Sequence, residues 1–122
     1  MKVSELMTLL DAQCVTEGAD LSAEISCGYS CDLLSWVLAH GKQGMGWCTV
    51  QTHVNVIAVS VLMEMACVIL VEGVQAEEAS LNKAVIDQLL VWLVGDDKEL
   101  IFFHKLGDSH QILVIKDASG RI

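Results

Sequence analysis

Alternation of apolar strand runs with helical patterns predicts an α/β fold: a three-layer α/β/α single domain built on a mainly parallel sheet of about five strands. Two further observations point the same way. Trp47 to Val50, Cys67 to Val71 and Leu90 to Val94 are nearly unbroken apolar runs, the pattern of strands covered on both faces. The apolar share is 53% with aromatics at only 5%, so Val, Leu, Ile and Ala carry the excess, as a helix-covered sheet requires. At 122 residues the chain has room for one hydrophobic core.

Each element follows from local pattern. Between Lys2 and Asp11, Val3, Leu6, Met7 and Leu10 fall at helical spacing, with Ser4 near the start, and predict an amphipathic first helix. Cys14 to Thr16 is a short strand candidate, and Glu17 to Asp20 reads as a turn. Ile25 to Tyr29 is the second strand. Ser30 or Asp32 is then placed to cap a helix through Leu33, Leu34, Trp36, Val37 and Leu38, which ends in the segment Gly41 to Gly46. The third strand, Trp47 to Val50, leads to a helix from Val54 to Met65 whose apolar residues lie almost all round, which predicts burial. Cys67 to Val71 is the fourth strand. Glu77 to Leu89 is a helix with two acidic residues in its first turn, favourable to the helix dipole. Leu90 to Val94 is the fifth strand, and Asp96 to Leu106 is expected as a last helix, with Gly107 as its C-cap. Residues 1–107 are thus expected as the α/β domain and 108–122 as a tail, with Ile112 to Ile115 an extra strand or an interface arm.

Composition excludes some functions. A formal charge of -9, with seven Lys and Arg scattered along the chain, makes nucleic acid a poor partner because phosphate binding needs a basic face. Asn55, Ser60 and Glu64 interrupt the longest apolar stretch, so no membrane span of about 20 residues is expected. The opening Met1 to Leu6 lacks the order of a secretory signal, and a cytoplasmic location is expected. The five cysteines, an odd set without regular spacing, are expected reduced and packed as small hydrophobes. Trp36, Trp47 and Trp92 suit either the core or a dimer interface.

The candidate site comes from topology. In a parallel sheet the residues after each strand share one edge, where helix N-termini leave unpaired backbone N–H groups and ligands bind. That edge collects Ser30 and Asp32, then Gln51, Thr52, His53 and Asn55, then Glu72 and Gly73. His53 is suited either to capping the following helix or to offering a neutral imidazole to a ligand. Thr52 and Asn55 are acceptable caps by type, and the N–H groups beside them suit an anion. Glu72 is a carboxylate at a strand exit, and Gly73 is expected at positive φ. No metal site is expected from the spacing of His40, His53, His104 and His110, and no cofactor. Cys31 beside Asp32 is opposed as a nucleophile by its carboxylate neighbour. Gly41, Gly44 and Gly46 lack the Lys-Ser/Thr of a phosphate loop. With no nucleophile, base and orienting group gathered on one edge, the chain is not expected to be an enzyme.

The opening Met1-Lys2-Val3-Ser4-Glu5-Leu6, the Asp32-Leu33-Leu34-Ser35-Trp36-Val37 helix start, the segment Thr49 to Val59 and the Val68 to Gly73 strand exit resemble the DRTGG-domain family, above all its small stand-alone bacterial members. The resemblance spans residues 1–106. It implies a three-layer α/β/α domain similar in fold to the N-terminal domain of HPr kinase. Relatives are accessory domains in phosphotransacetylases and in CBS-containing pyrophosphatases, which implies a regulatory or ligand-binding role with dimer contacts. The Asp-Arg pair naming the family falls near Thr52-His53 and its Thr-Gly-Gly near Val71-Glu72-Gly73, so of those residues this chain keeps Gly73. The expected function is a non-enzymatic regulatory module, a homodimer binding a small anionic or nucleotide-like ligand at the strand C-terminal edge. The alternative is a protein-interaction adaptor, since stand-alone relatives are associated with hydrogenase and redox-signalling systems.

Overall fold

Val3, Leu6 and Leu10 are all buried, and Val3–Leu10 forms α1 with that stripe closed against the sheet. Its N-cap is Lys2, whose backbone N–H donates to the Glu5 carboxylate at 3.4 Å; Ser4 lies inside the helix rather than capping it. The computed structural model describes residues 1–16, 21–94, 98–104 and 111–117. The turn expected at 17–20, the Gly107 cap and the end of the tail fall outside those residues.

After α1 come β1 (Gln13–Cys14), β2 (Cys27–Ser30), α2 (Leu34–His40), β3 (Met45–Thr49), α3 (Val54–Leu62), β4 (Cys67–Leu70), α4 (Glu78–Ile86) and β5 (Leu90–Leu93). The five strands form one sheet in the order β1-β5-β4-β3-β2. β2 to β5 run parallel, with Tyr29 opposite Trp47, Trp47 opposite Val68 and Val68 opposite Val91, while β1 closes the far edge antiparallel, Gln13 opposite Leu93. The expected mainly parallel α/β sheet is present.

Strands β2 to β5 follow one another in chain order, so right-handed crossovers carry α2, α3 and α4 to the same face. The buried clusters agree. Val37, Val56, Ile57 and Ala84 from these helices pack on Trp47, Val68, Leu70 and Val91 of the sheet. On the opposite face α1 is the described helix that supplies cover, with Val3, Leu6 and Leu10 against Cys48, Cys67, Ile69 and Val94, and Ala23 and Ile25 pack against the same cluster. Every residue of β3 and β4 is buried, which explains their unbroken apolar sequence. Trp47 is fully buried and its indole N–H is satisfied by the Cys31 carbonyl at 2.7 Å.

Three helices end alike. The Ala12 N–H donates to Met7 O at 3.2 Å, Met65 to Ser60 O at 2.9 Å and Leu89 to Ala84 O at 2.9 Å, each a Schellman closure. The pivot residue is left-handed in every case and never glycine: Asp11 at φ 49°, Glu64 at 55° and Gln88 at 57°.

Several expectations are corrected. Neither Ser30 nor Asp32 caps α2, whose N-cap is Leu33 with no side-chain hydrogen bond, because the Asp32 carboxylate turns to β3 instead. α3 stops at Leu62, short of Met65, because Glu64 is left-handed, and only Val56, Ile57, Val59 and Ser60 are buried on it. Leu62, 71% exposed, shows that an apolar circumference does not compel burial when one helix face meets no second layer. The helix expected over Asp96 to Leu106 is, over its described residues, a strand: Lys98–His104 is β6 and pairs antiparallel with β7 (Gln111–Asp117), Leu100 opposite Ile115 and Phe102 opposite Leu113. Ile101, Phe102 and Phe103 are β-branched or aromatic strand formers, and their run outweighs a helical reading of the segment. No described helix is long and apolar enough to cross a membrane.

Candidate functional site

Because β2, β3 and β4 are parallel, their exits at Cys31, Val50 and Val71 emerge at one edge. The first two loops are tied together there. Asp32 Oδ1 accepts from the Thr49 hydroxyl at 2.8 Å and from the Val50 N–H at 3.0 Å. Thr49 Oγ1 in turn accepts from the Gln51 N–H at 3.1 Å, and the Gln51 side-chain amide donates to the Asp32 carbonyl at 3.1 Å. Thr49 is 2% exposed, so its hydroxyl is a buried polar group whose donor and acceptor needs are both met. This ring fixes the spacing of the two loops.

The edge divides into two recesses. On the side of the sheet covered by α1, an open cleft of about 400 Å³ is lined by Ser30, Cys31, Asp32, Cys48, Thr49, Val50, Val71 and Glu72. Its charged lining residues are Asp32 and Glu72, both acidic. Glu72 holds φ 61° and Gly73 holds φ 70°, the latter as expected, and the Gly73 N–H donates to Val94 O at 3.1 Å. A left-handed non-glycine residue at a strand exit is a strained placement of a carboxylate. The second recess, on the side of α3 and α4, is a crevice of about 10 Å³ lined by Gln51, Thr52 and His53 among apolar side chains, room for a single water.

The eight candidate residues therefore share an edge but not a pocket. Ser30, Asp32 and Glu72 line the cleft; Gln51, Thr52 and His53 line the crevice; Asn55 and Gly73 line neither. His53 is the N-cap of α3, its Nδ1 accepting from the Asn55 N–H at 3.1 Å, which requires an unprotonated Nδ1. Asn55 supplies the backbone donor, not the cap. The Thr52 carbonyl is held by the Ser80 hydroxyl at 2.6 Å, which ties the loop to α4.

Thr49, Cys31, Val50 and Val71 are cleft residues that sequence reasoning did not select. Thr49 alone carried a signal, a hydroxyl at the end of an apolar strand. Cys48, at the floor of the cleft, is buried, and burial with Cys67 nearby pushes its thiol far up; burial likewise pushes Cys67 up to about 12. Both stay protonated at neutral pH, so neither serves as a thiolate nucleophile. All five cysteines are free. Among the described residues no group of three or more His, Cys, Asp or Glu gathers to hold a metal ion.

No family model matches the chain, and no curated protein does. The chain is similar to a solved structure, that of the CBS and DRTGG domains of the regulatory region of Clostridium perfringens pyrophosphatase complexed with its activator, diadenosine tetraphosphate. The superposition has a TM-score of 0.59 at 9% identity and covers 76% of this chain. It spans 40% of the neighbour's chain, so what is shared is the fold of part of a regulatory region.

Proposed function

We propose that the chain is a non-catalytic regulatory module that binds a nucleotide-like ligand in the cleft between the β2, β3 and β4 exits. The observation that carries this reading is the pair of carboxylates, Asp32 and Glu72, at the ends of parallel strands around an open cleft. Carboxylates in that position accept hydrogen bonds from ribose hydroxyls in dinucleotide-binding sheets. The lining contains no Lys or Arg, which favours the neutral, hydroxyl-rich part of such a ligand over a bare anion and leaves its phosphates toward solvent. A nucleotide activator in the structurally similar regulatory region supports the same ligand class.

Thermal and urea unfolding with adenosine, AMP, diadenosine tetraphosphate and inorganic phosphate test the proposal. A nucleoside-containing ligand at 100 times its dissociation constant should add about 2.7 kcal/mol, phosphate nothing, and Glu72→Gln should abolish the gain. No gain across the set, or an equal gain in Glu72→Gln, would sink it.

A second reading rests on α2. Trp36 is 54% exposed and stacks on His40 with ring centroids 4.2 Å apart, and Leu33 beside it is exposed too. A rigid aromatic on a helix surface is a common anchor for a protein partner. Under that reading the chain is an adaptor in a hydrogenase or redox-signalling system, and Trp36→Glu should lose the partner in affinity capture while Glu72→Gln keeps it.

A further inference from the structure

The N–H groups that would cradle a phosphate at the strand exits are already committed. Cys31 donates to the Cys48 carbonyl at 3.2 Å, Val71 to the Thr49 carbonyl at 3.2 Å and Gly73 to the Val94 carbonyl at 3.1 Å. Val50 and Gln51 give theirs to Asp32 Oδ1 and Thr49 Oγ1 at 3.0 and 3.1 Å. The Thr49 hydroxyl donates to Asp32, the Cys31 thiol faces the Leu33 carbonyl, and no Lys or Arg lines the cleft. Acceptors remain open. Asp32 Oδ1 takes two hydrogen bonds, whereas Oδ2 and the Glu72 carboxylate take none among the described residues. The bonds from Thr49 and Val50 fix the Asp32 carboxylate, so the direction of Oδ2 is set before a ligand arrives. Exposed Val50 and half-buried Val71 bring apolar surface to the same cleft.

We propose, resting on the nucleoside reading of this cleft, that the ligand is recognised through a free ribose 2′,3′-diol. Asp32 Oδ2 and the Glu72 carboxylate accept from the two hydroxyls, the base covers Val50 and Val71, and the 5′ end points to solvent. A missing hydroxyl leaves a carboxylate without its donor, and a phosphate in that place meets two negative charges. The cleft therefore separates positional isomers: it accepts a 5′-phosphate and refuses one at the 2′ or 3′ oxygen.

Isothermal titration calorimetry at physiological salt tests it. Adenosine and 5′-AMP should bind within about threefold of each other, since a charge in solvent is screened. 2′-Deoxyadenosine and 3′-deoxyadenosine should each bind at least about tenfold more weakly, the loss of one hydrogen bond to a charged acceptor, and 3′-AMP should not bind measurably. In Asp32→Asn the donors Thr49 and Val50 hold the amide oxygen in the place of Oδ1, so the NH2 group replaces Oδ2. That variant keeps the loop hydrogen bonds and should lose the preference for adenosine over at least one of the two deoxynucleosides. Deoxynucleosides that match adenosine, 3′-AMP that matches 5′-AMP, or Asp32→Asn with the full preference would overturn the diol and leave the nucleoside cleft standing. Methyl riboside, the diol without a base, should bind more weakly than adenosine; equal binding would keep the diol and make the ligand a sugar. No binding by any of these compounds would overturn the cleft and the diol together.

Discussion

Asp32 holds Thr49. The carboxylate of one loop accepts the hydroxyl of the next at 2.8 Å, and the same oxygen takes the Val50 N–H at 3.0 Å. One acidic side chain thus sets the distance between two strand exits on which a ligand cleft depends.

Removing that carboxylate should be felt as stability. Asp32→Ala leaves the buried Thr49 hydroxyl without its acceptor and is expected to cost about 1–2 kcal/mol in urea unfolding. Asp32→Asn retains an acceptor oxygen and should cost less than about 1 kcal/mol. Equal losses in the two variants would mean that charge, rather than the hydrogen bond, holds the loops.

His53 and Asn55 should separate in the same assay. His53→Ala deletes the α3 cap and is expected to cost about 0.5–2 kcal/mol, with His53→Asn restoring most of it. Asn55→Ala keeps the backbone N–H that the cap uses and should change stability by no more than about 0.5 kcal/mol.

The left-handed helix ends offer stabilising changes. Glu64→Gly and Gln88→Gly relieve side-chain strain at φ 55° and 57°, and each should raise the unfolding free energy by up to about 1 kcal/mol. Gly41→Ala should do the reverse, since its Cβ would come within 2.8 Å of the Val37 carbonyl oxygen. Chemical denaturation midpoints at constant slope decide both.

Alkaline pH should weaken the fold through the thiols of Cys48 and Cys67. Burial raises both above the free-thiol value, with Cys67 at about 12, so in this range the unfolded chain binds fewer protons than the native one. Stability is unaffected by these groups below about pH 8.5 and falls above it, by roughly 1 kcal/mol per pH unit per thiol, until the native Cys67 thiol ionises near pH 12. Urea unfolding from pH 7 to 10.5 should show this slope, and Cys67→Ala should flatten it. Iodoacetamide should leave both cysteines unmodified in the native protein at pH 8.

The parallel sheet was legible because β3 and β4, buried on both faces, admit almost nothing but apolar residues. The shared edge followed from chain direction, which is why Ser30, Asp32, Gln51, Thr52, His53, Asn55, Glu72 and Gly73 were found together. Which of them face one recess was not legible, because that depends on the side of the sheet each loop leaves. Asp32 turning to Thr49 is a contact across 17 positions, with no local mark. The segment Asp96 to Leu106 was misread because so short a stretch holds too few turns for helical periodicity to assert itself, and the strand that decides the matter, Gln111–Asp117, lies further along the chain.

The antiparallel edge has a consequence for the order of assembly. Gln13 pairs with Leu93, and the Thr16 hydroxyl accepts the Val91 N–H across 75 positions, whereas β2 to β5 are each completed by the next unit in line. A contact of such separation waits on the closure of everything between. Substitutions at Val3 or Leu6 should therefore speed unfolding and leave the folding rate nearly untouched, and stopped-flow kinetics would show it. The ribosome makes this segment before β5, and it finds its place only after the strand that receives it has been made.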